Sequence, residues 1–343
     1  MARPRNRENS GLPQNLLCRK RKRSNGKIVH YYFYVLADGK EKSLGTDKNT
    51  AILETAKLNL KRKMTINTFT FVDIAQRYSV EILPGNAHST QKAKQTAIKY
   101  LTLFFGDPPF TLEQITPKHI KMYLDWRKDL PKSANNEVRV FNHIWNMARE
   151  WGYTTAFSPA MGVKKHKTEN RDVYIEDYIL EKFKAFADQD MRDLIDIAYL
   201  TGQRPIDIVN IHKSQIFDDI LHITQQKTKA KVRIKLVGRL ADIIKRRMNT
   251  TDKNYLFSNK RNGKFSRNLL SRQFAKLRET VIKAYPEIED ELKNIQFRDL
   301  RAKAATDQYL EKDEETAQKQ LGHTSSTMTK RYIRKDKIVM PTK

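Results

Sequence analysis

The sequence has very little cysteine and no long apolar segment. Cys18 is the single cysteine among 343 residues, which excludes an internal disulfide and a cysteine-based metal cluster. The 8 histidines are scattered rather than paired at the spacing of metal ligands. No apolar run approaches the roughly 18 residues of a membrane-spanning helix, and no apolar signal-peptide core follows Met1. We therefore expect a soluble intracellular protein with no structural metal, no cofactor and no membrane partner.

Acidic residues are also scarce relative to basic ones. Lys and Arg number 66 against 39 Asp and Glu, which gives a formal net charge of +27. A basic excess of this size attracts polyanions and favours nucleic acid, because phosphate contacts release condensed counterions. Residues 1–63 hold 16 basic and 5 acidic residues, so this segment supplies 11 of the 27 excess charges. A charge that serves solubility alone is the weaker alternative.

The first 63 residues have the pattern of a small basic DNA-binding module. Residues 1–13 have little apolar content, which is typical of an arm that orders on binding DNA. Asn25-Gly26 and Asp38-Gly39 are strong hairpin signals because both pairs tolerate positive φ. The pattern predicts strands and then a helix over these ranges: 15–21, 28–36 and 40–44, followed by 50–63. The candidate DNA contacts are Arg3, Arg5, Arg19, Arg21 and Arg23. A merely structural basic cap is the alternative.

A second predicted domain, residues 68–157, is a bundle of amphipathic helices. Apolar residues recur there at helical spacing, and Gly and Pro interrupt the pattern between helices. The predicted helices lie at about 71–78, 89–105, 117–130 and 133–151. Residues 158–172 follow as a basic linker rich in Pro, Gly and Lys, and we expect it to contact a phosphate backbone through Lys164, Lys165 and Lys167.

Residues 173–343 are predicted to form one larger, mainly helical domain with a short tail. The chain is therefore expected to be mostly α with small β-sheets. The predicted helices lie at about 176–187, 190–200, 205–212, 238–248, 266–284, 298–309 and 313–321, with a last helix that carries Tyr332. Two strands are predicted at 220–225 and 232–236.

Four short motifs in this last domain carry groups suited to phosphate chemistry. The sequence around Arg204 reads Thr-Gly-Gln-Arg-Pro-Ile-Asp, and Lys227 precedes Thr228 near a probable hairpin turn. Phe-Arg-Asp-Leu-Arg ends at Arg301, and Leu-Gly-His ends at His323. Tyr332 follows nine residues after that histidine. Arginine presents a planar fork of donors to phosphate oxygens, while histidine and tyrosine donate hydrogen bonds and exchange protons.

In their order and spacing, these motifs resemble the tyrosine recombinases, also called phage integrases, and the domain order resembles their lambda-type, three-domain members. The resemblance implies an arm-site domain at 1–63, a core-binding bundle at 68–157 and a catalytic domain at 173–343. It also implies cleavage and rejoining of DNA through a 3′-phosphotyrosine, without metal or ATP. We expect such a protein in the bacterial cytoplasm, associated with the nucleoid.

The resemblance assigns a role to each motif residue. Tyr332 would attack phosphorus, while Arg204, Arg301 and His323 hold the phosphate, and Lys227 would protonate the leaving 5′ oxygen. Lys229 and Lys231 are rivals for that acid. The supporting residue Asp207 would orient arginine or histidine, although an ordinary first-turn carboxylate is an equal alternative.

Position 298 departs from the family pattern. The family usually has histidine there, in HxxR, and this chain has Arg298. Arginine donates to phosphate but cannot accept a proton near neutral pH, so we expect a purely electrostatic role. At i and i+3 of a helix, Arg298 and Arg301 would share one face and point at one phosphate.

The leading interpretation is a site-specific integrase of a temperate phage or integrative element. Its expected partners are core-type and arm-type attachment sites in double-stranded DNA, further copies of the chain in a tetramer, a DNA-bending host factor and an excisionase. Two alternatives are a type IB topoisomerase-like enzyme, against which the basic front module argues, and a DNA-binding regulator without catalysis, against which the intact motifs argue.

Overall fold

In the computed structural model, the chain divides into two compact units, Met1–Glu169 and Asn170–Lys343. The structure describes residues 9–342 except 10, 25, 37–38, 65–68, 251–253 and 259–264. Arg3 and Arg5, most of the predicted arm, and Asn25 and Asp38 of the two hairpin signals lie outside the described residues. The finer division into four segments remains a prediction.

The front of the first unit is a small antiparallel sheet with a helix. The strands are β1 (Leu16–Lys22), β2 (Ile28–Val35) and β3 (Glu41–Ser43), in the order β1-β2-β3, and α1 (Lys48–Met64) follows. Gly26 and Gly39 have positive φ in the two connections, as the hairpin signals require. Leu16, Tyr32 and Ala51 are buried between the sheet and α1. This front module has few buried apolar residues.

The rest of the first unit is a helical bundle with an aromatic core. Its helices are α2 (Phe71–Glu81), α3 (His88–Phe105), α4 (Pro117–Trp126) and α5 (Pro131–Glu150). Phe71 stacks on Phe141 with ring centroids 4.9 Å apart, and the Trp145 ring also packs on Phe141, with centroids 5.6 Å apart. Pro117 and Pro131 stand in the first turns of α4 and α5, where their missing N–H groups leave no helical bond unmade.

The second unit is mainly helical around one hydrophobic core and contains the small sheet β4-β5-β6. Its elements in chain order are α6 (Asp177–Phe186), α7 (Gln189–Thr201), α8 (Pro205–Ile208), β4 (Ile216–Phe217), β5 (Ile220–Thr224), β6 (Lys231–Lys235), α9 (Gly238–Thr250), α10 (Arg267–Ala284), α11 (Glu289–Leu292), α12 (Leu300–Glu311), α13 (Glu314–Leu321) and α14 (Ser326–Lys330). The fold class predicted from the sequence, mostly helical with small sheets, is confirmed.

Two helix predictions in this unit are wrong at their ends. The helix expected over 205–212 stops at Ile208, because the chain turns away to form a bridge between His212 and Tyr255. The helix expected to carry Tyr332 stops at Lys330. Tyr332 instead lies in a turn closed by its N–H, which donates to the carbonyl of Thr329 at 2.8 Å. In the first place a long-range bridge outweighs local helical propensity, and in the second a local turn bond does so together with the contact of the Tyr332 carbonyl with Thr306.

Two features are absent from the residues that the structure describes. None of the helices there is long and apolar enough to cross a membrane. Within the same residues, no group of His, Cys, Asp and Glu side chains is arranged to hold a metal ion.

Candidate active site

Three of the predicted site residues meet in one cluster of the second unit. Arg301 lies on α12, His323 follows α13, and Tyr332 follows α14. The Arg301 Nη2 atom lies 3.0 Å from His323 Nε2, and the Arg301 guanidinium carbon lies 5.1 Å from the Tyr332 ring centroid. The His323 and Tyr332 rings are 5.3 Å apart. Residues separated by up to 31 positions in the sequence thus form one compact group.

Arg301 is the buried centre of this cluster. Its side chain donates to the carbonyls of Gly202 at 2.6 Å and Leu321 at 2.9 Å, while its Nε has no partner among the described residues. Burial, and then the positive charge of Arg204, lower the pKa of Arg301 to about 10. The buried guanidinium has a second positive charge beside it and one N–H without a partner. An anion would balance the charge and accept that hydrogen bond.

His323 is held in a tight turn between α13 and α14. Gly322 ends α13 in the left-handed conformation at φ +63°, which places the next side chain away from the helix axis. A guanidinium only donates, so Nε2 of His323 accepts from Arg301, and its Nδ1–H donates to Thr329 at 3.1 Å. Burial, and then the charges of Arg301 and Arg204, lower the pKa of His323 to about 4. The imidazole is therefore neutral near pH 7.

Gly322 is required by space as well as by conformation. A Cβ at this position would lie 2.7 Å from Val232 Cγ2 and 2.9 Å from Gln225 Nε2. Both distances are shorter than real Cβ contacts, so the Leu-Gly-His turn packs directly on β6 and on the end of β5. This contact fixes the turn that carries His323 against the hairpin that carries Lys227.

Arg204 joins the cluster from the short connection between α7 and α8. Pro205 follows it at the first position of α8 and fixes the backbone there. The half-buried side chain donates from Nη1 to Oε1 of Gln225, and its charge lowers the pKa of both Arg301 and His323, after burial in each case. Arg204 therefore contributes a second positive charge to the same site.

Lys227 lies at the turn between β5 and β6, as the sequence predicted, and its side chain is exposed. Its amine has no hydrogen bond or ion pair within the described part of the chain. Of the two rivals, Lys229 has a positive φ of 59° in the same turn, and Lys231 is the first residue of β6. The structure thus leaves Lys227 free to move.

Asp207 supports the turn that carries Lys227. Its Oδ1 accepts a hydrogen bond from the backbone N–H of Gln226 at 2.8 Å, while Oδ2 has no partner among the described residues. Burial raises the pKa of Asp207, and the hydrogen bond from Gln226 and the charges of Arg204 and Arg301 oppose that rise. The side chain therefore bonds the hairpin directly and acts on the arginines through its charge.

Arg298 is placed differently from the other motif residues. It lies in a single turn of 3-10 helix, Phe297–Asp299, ahead of α12, and its side chain is exposed. Its guanidinium makes no hydrogen bond or ion pair with any residue that the structure describes. Arg301, three positions later, is 2% exposed. The expected pairing of the two arginines on one helical face is therefore not present in the protein alone.

Three further residues of the site were missed from the sequence. Gln225 is buried and contacts Arg204, Thr329 binds His323, and Thr306 lies within 3.3 Å of the carbonyl oxygen of Tyr332. Gln225 and Thr329 each stand four residues or fewer from a motif residue, which is the only sequence signal that they offer. Thr306 offers none, because nothing local marks a threonine in the middle of α12.

The candidate DNA contacts of the described front module lie along one strand. Arg19, Arg21 and Arg23 alternate along and just beyond β1 and are exposed. Arg19 lies over Phe33 and pairs with Glu41, and Arg23 donates to the Tyr31 hydroxyl at 3.1 Å. Residues at every second position of a strand share one face, so these arginines form a basic stripe on the sheet. In the predicted linker, Lys164, Lys165 and Lys167 are also exposed.

The geometry of the cluster suits an oxyanion with a nucleophile beside it. Two arginines offer donors, a neutral histidine contacts both Arg301 and Tyr332, and an exposed lysine lies on the adjoining hairpin. Charge that builds on phosphate oxygens in a transition state is stabilised by such fixed cations. The tyrosine hydroxyl is the nucleophile that this group could direct.

Two segments of this chain match known protein families, and similar proteins match nearly its whole length. Residues 176–338 match the phage integrase family, and residues 1–71 match the bacteriophage lambda integrase arm DNA-binding domain. The chain is 26% identical to an integrase of Enterobacteria phage 434, over 97% of this chain and 96% of the relative.

Two solved structures show the same fold. One, of a lambda integrase dimer bound to a COC′ core site, has a TM-score of 0.71 at 24% identity and covers 96% of this chain and 99% of that chain. The other, of a lambda integrase tetramer bound to a Holliday junction, has a TM-score of 0.67 at 23% identity and covers 92% and 97%.

Proposed function

Because the chain belongs to the phage integrase family and is a site-specific tyrosine recombinase, we propose that it integrates the DNA of a temperate phage or integrative element at an attachment site. Core-type sites would be bound by residues 68–343, and arm-type sites by residues 1–63. The observation that carries the proposal is the cluster of Arg301, His323 and Tyr332, with Arg204 beside it.

In the proposed reaction, the Tyr332 hydroxyl attacks the scissile phosphorus. A bond forms between its oxygen and phosphorus while the phenol proton passes to solvent, and the bond from phosphorus to the 5′ oxygen breaks. The 3′-phosphotyrosine conserves the energy of the phosphodiester, so a second 5′ hydroxyl can displace the tyrosine without ATP. Strand transfer between two duplexes then needs only that the 5′ ends exchange places.

The surrounding groups would each serve one part of that reaction. Arg204 and Arg301 bind the non-bridging oxygens, and the neutral His323 acts on the phosphate through Arg301, from which its Nε2 accepts a hydrogen bond. The Lys227 amine gives a proton to the leaving 5′ oxygen. Because Lys227 lies on an exposed turn, its side chain can reach that oxygen. Arg298, exposed at the start of α12, adds charge to the same phosphate when DNA is bound.

The proposed assembly is a tetramer of this chain on two duplexes. It is supported by the structural similarity to a lambda integrase tetramer on a Holliday junction and by the match to an arm DNA-binding domain. Such an assembly would need sharply bent DNA, for which we propose a DNA-bending host factor, and an excisionase to reverse the reaction. The basic stripe of the front sheet favours this assembly over a topoisomerase that acts on a single duplex.

The arm-site proposal is tested by removing charge from the basic stripe. The triple variant Arg19→Ala, Arg21→Ala, Arg23→Ala should bind arm-site DNA less tightly, with the slope of log affinity against log salt reduced by up to about 3, because each lost phosphate contact removes roughly 0.9. Recombination between an arm-containing attachment site and a core-only site should fall, while cleavage of core sites is unchanged. The measurements are salt titrations of binding and gel assays of recombinant product.

A matched variant controls for net charge. Lys121→Ala, Lys293→Ala and Lys319→Ala together also remove three positive charges, from exposed lysines that pair with acidic neighbours. This variant should recombine arm-containing DNA like the unaltered chain. Equal recombination by the stripe variant and the unaltered chain would refute an arm-site role for the front module.

A further inference from the structure

The side chain of Gln225 forms hydrogen bonds to several of the segments that carry motif residues. Its side chain is fully buried at the end of β5. Oε1 accepts from Arg204 Nη1 and, at 2.7 Å, from the Thr228 hydroxyl. Nε2 donates to the Leu321 carbonyl and to Gln203 Oε1, at 2.8 Å each. All four hydrogen-bonding positions of the carboxamide are therefore filled.

The orientation of this carboxamide is fixed by its partners. A guanidinium can only donate and a carbonyl can only accept, so Oε1 must face Arg204 and Nε2 must face Leu321. Gln203 is fixed in the same way, because its Nε2 donates to the carbonyls of Thr201 and Gln320. The two glutamines form a buried amide pair with one consistent arrangement of donors and acceptors.

The bonds of Gln225 connect three of the motif segments. Arg204 belongs to the first arginine motif, and Thr228 follows Lys227 in the hairpin turn. Leu321 immediately precedes Gly322 and His323, and its carbonyl also accepts from Arg301. The backbone of Gln225 also closes the hairpin turn, through bonds with Ala230 and Lys229. One residue thus touches the segments that hold the phosphate and the segment that carries the proposed acid.

We propose that Gln225 is a positioning residue for the recombination reaction: it holds the Arg204 guanidinium and the Lys227 turn in register with the His323 turn. This inference rests on the function proposed above. Gln225 contacts no DNA in this role and donates no proton to the reaction. It acts through the placement of two groups that do, and misplacement by about 1 Å is enough to cost roughly a hundredfold in rate.

The chemistry of the site explains why glutamine is needed. A glutamate would put a second acceptor against the Leu321 carbonyl and the Gln203 oxygen, and its negative charge would hold Arg204 in place of the phosphate. A methionine would fill the same space but leave the Leu321 carbonyl, the Gln203 oxygen and Arg204 with fewer bonds. Gly322 leaves the space that the Gln225 carboxamide needs, since a Cβ at position 322 would lie 2.9 Å from Nε2.

The test compares cleavage with binding in the full chain. Gln225→Met and Gln225→Glu should bind a core-site duplex within about threefold of the unaltered chain, yet form the Tyr332 adduct roughly a hundredfold more slowly in single-turnover assays. The matched control is Gln320→Ala, which removes another glutamine side chain of the same region, one that contacts neither Arg204 nor the hairpin. The control should cleave at the normal rate.

A sulfur-substituted substrate separates the role of the hairpin from general damage to the fold. If sulfur replaces the bridging 5′ oxygen, the leaving group is a thiolate, which departs without a proton because a thiol has a pKa of about 8.5. On this substrate, the fall in cleavage rate caused by the Gln225 variants should be about tenfold smaller than on the ordinary duplex. Thr228→Val, on the exposed turn, should slow cleavage of the ordinary duplex only, and it keeps the test open if the buried variants do not fold.

Different results would contradict the positioning role of Gln225, its link to Lys227 and the proposed function. Cleavage by Gln225→Met within threefold of the unaltered chain would overturn the proposal, as would a loss of cleavage that is matched by an equal loss of binding. An equal loss on both substrates would refute the link to Lys227. If the unaltered chain forms no adduct through Tyr332, the proposed function itself fails, and that result does not depend on any Gln225 variant.

Discussion

At the scale of single residues, the two arginines of the Phe-Arg-Asp-Leu-Arg motif are in opposite environments. Arg301 is buried under Tyr332 and bonded to two carbonyls and a histidine. Arg298 is exposed and makes no bond to any described residue. The buried arginine is fixed before DNA arrives, whereas the exposed one must be ordered by the phosphate. The position at which the sequence departs from the phage integrase pattern is thus one that the protein alone does not fix.

A histidine at position 298 tests whether charge or proton transfer matters there. An exposed imidazole loses its proton near its ordinary pKa of about 6.5, whereas arginine stays charged. If the role is electrostatic, Arg298→His should cleave nearly as fast as the unaltered chain at pH 5.5. By pH 8 it should fall behind by about a hundredfold, because the neutral imidazole no longer brings a positive charge to the phosphate. The measurement is the ratio of single-turnover cleavage rates across this pH range.

Two controls sharpen the interpretation of Arg298. Arg298→Lys keeps the charge and should show no growing deficit with pH. A ratio between Arg298→His and the unaltered chain that stays constant from pH 5.5 to 8 would show that charge is unimportant at this position. A ratio that improves with rising pH would instead indicate a proton acceptor.

At the scale of helices and turns, the site is built where elements end. Arg204 precedes α8, Lys227 lies between β5 and β6, His323 follows α13, and Tyr332 follows α14. Of the five groups nearest the proposed phosphate, the four just named and Arg301, only Arg301 lies within a helix. Side chains at such ends can converge from different directions, and each end depends on a specific hydrogen bond or glycine to hold it.

The sequence indicates these motifs but not the bonds that hold them. The Gly322 cap and the hairpin turn could be predicted, because glycine at a helix end and alternating strands are local signals. The early stop of α8 could not, since the bridge between His212 and Tyr255 joins distant segments. The Gln225 bond to Leu321 spans 96 residues and was missed for the same reason.

Thr306 holds the turn that presents Tyr332. Its buried hydroxyl lies 3.3 Å from the carbonyl oxygen of Tyr332 and accepts from the Arg334 N–H at 3.0 Å. Thr306→Val keeps the shape and removes both contacts. It should destabilise the fold by about 1–3 kcal/mol, the cost of leaving a buried polar group unpaired, and slow Tyr332 adduct formation roughly tenfold without weakening core-site binding.

A second threonine on a helix provides the control for Thr306. Thr280 on α10 also bonds the carbonyl four residues earlier, as Thr306 does, but it is exposed and away from Tyr332. Thr280→Val should change neither the melting temperature nor the cleavage rate appreciably. If Thr306→Val melts earlier but cleaves at the normal rate, Thr306 supports the fold alone and does not place the nucleophile.

At the scale of the whole molecule, charge and chemistry are divided between the two units. The first unit contains the basic stripe and the helical bundle, and the second contains the cluster of groups that we propose to bind phosphate. The net charge of +27 favours DNA as the partner. The net charge does not indicate the attachment sequence, because phosphate contacts contribute affinity but carry no sequence information.

The covalent bond between Tyr332 and DNA is the most direct test of this account. A nicked core-site duplex, taken from the DNA flanking the integrated element, should give an adduct that resists SDS, with the modified peptide mapping to Tyr332. Tyr332→Phe should bind the duplex normally and give no adduct, because the ring remains over Arg301 and only the hydroxyl is lost. An adduct on another tyrosine, or an equal yield from Tyr332→Phe, would contradict the account.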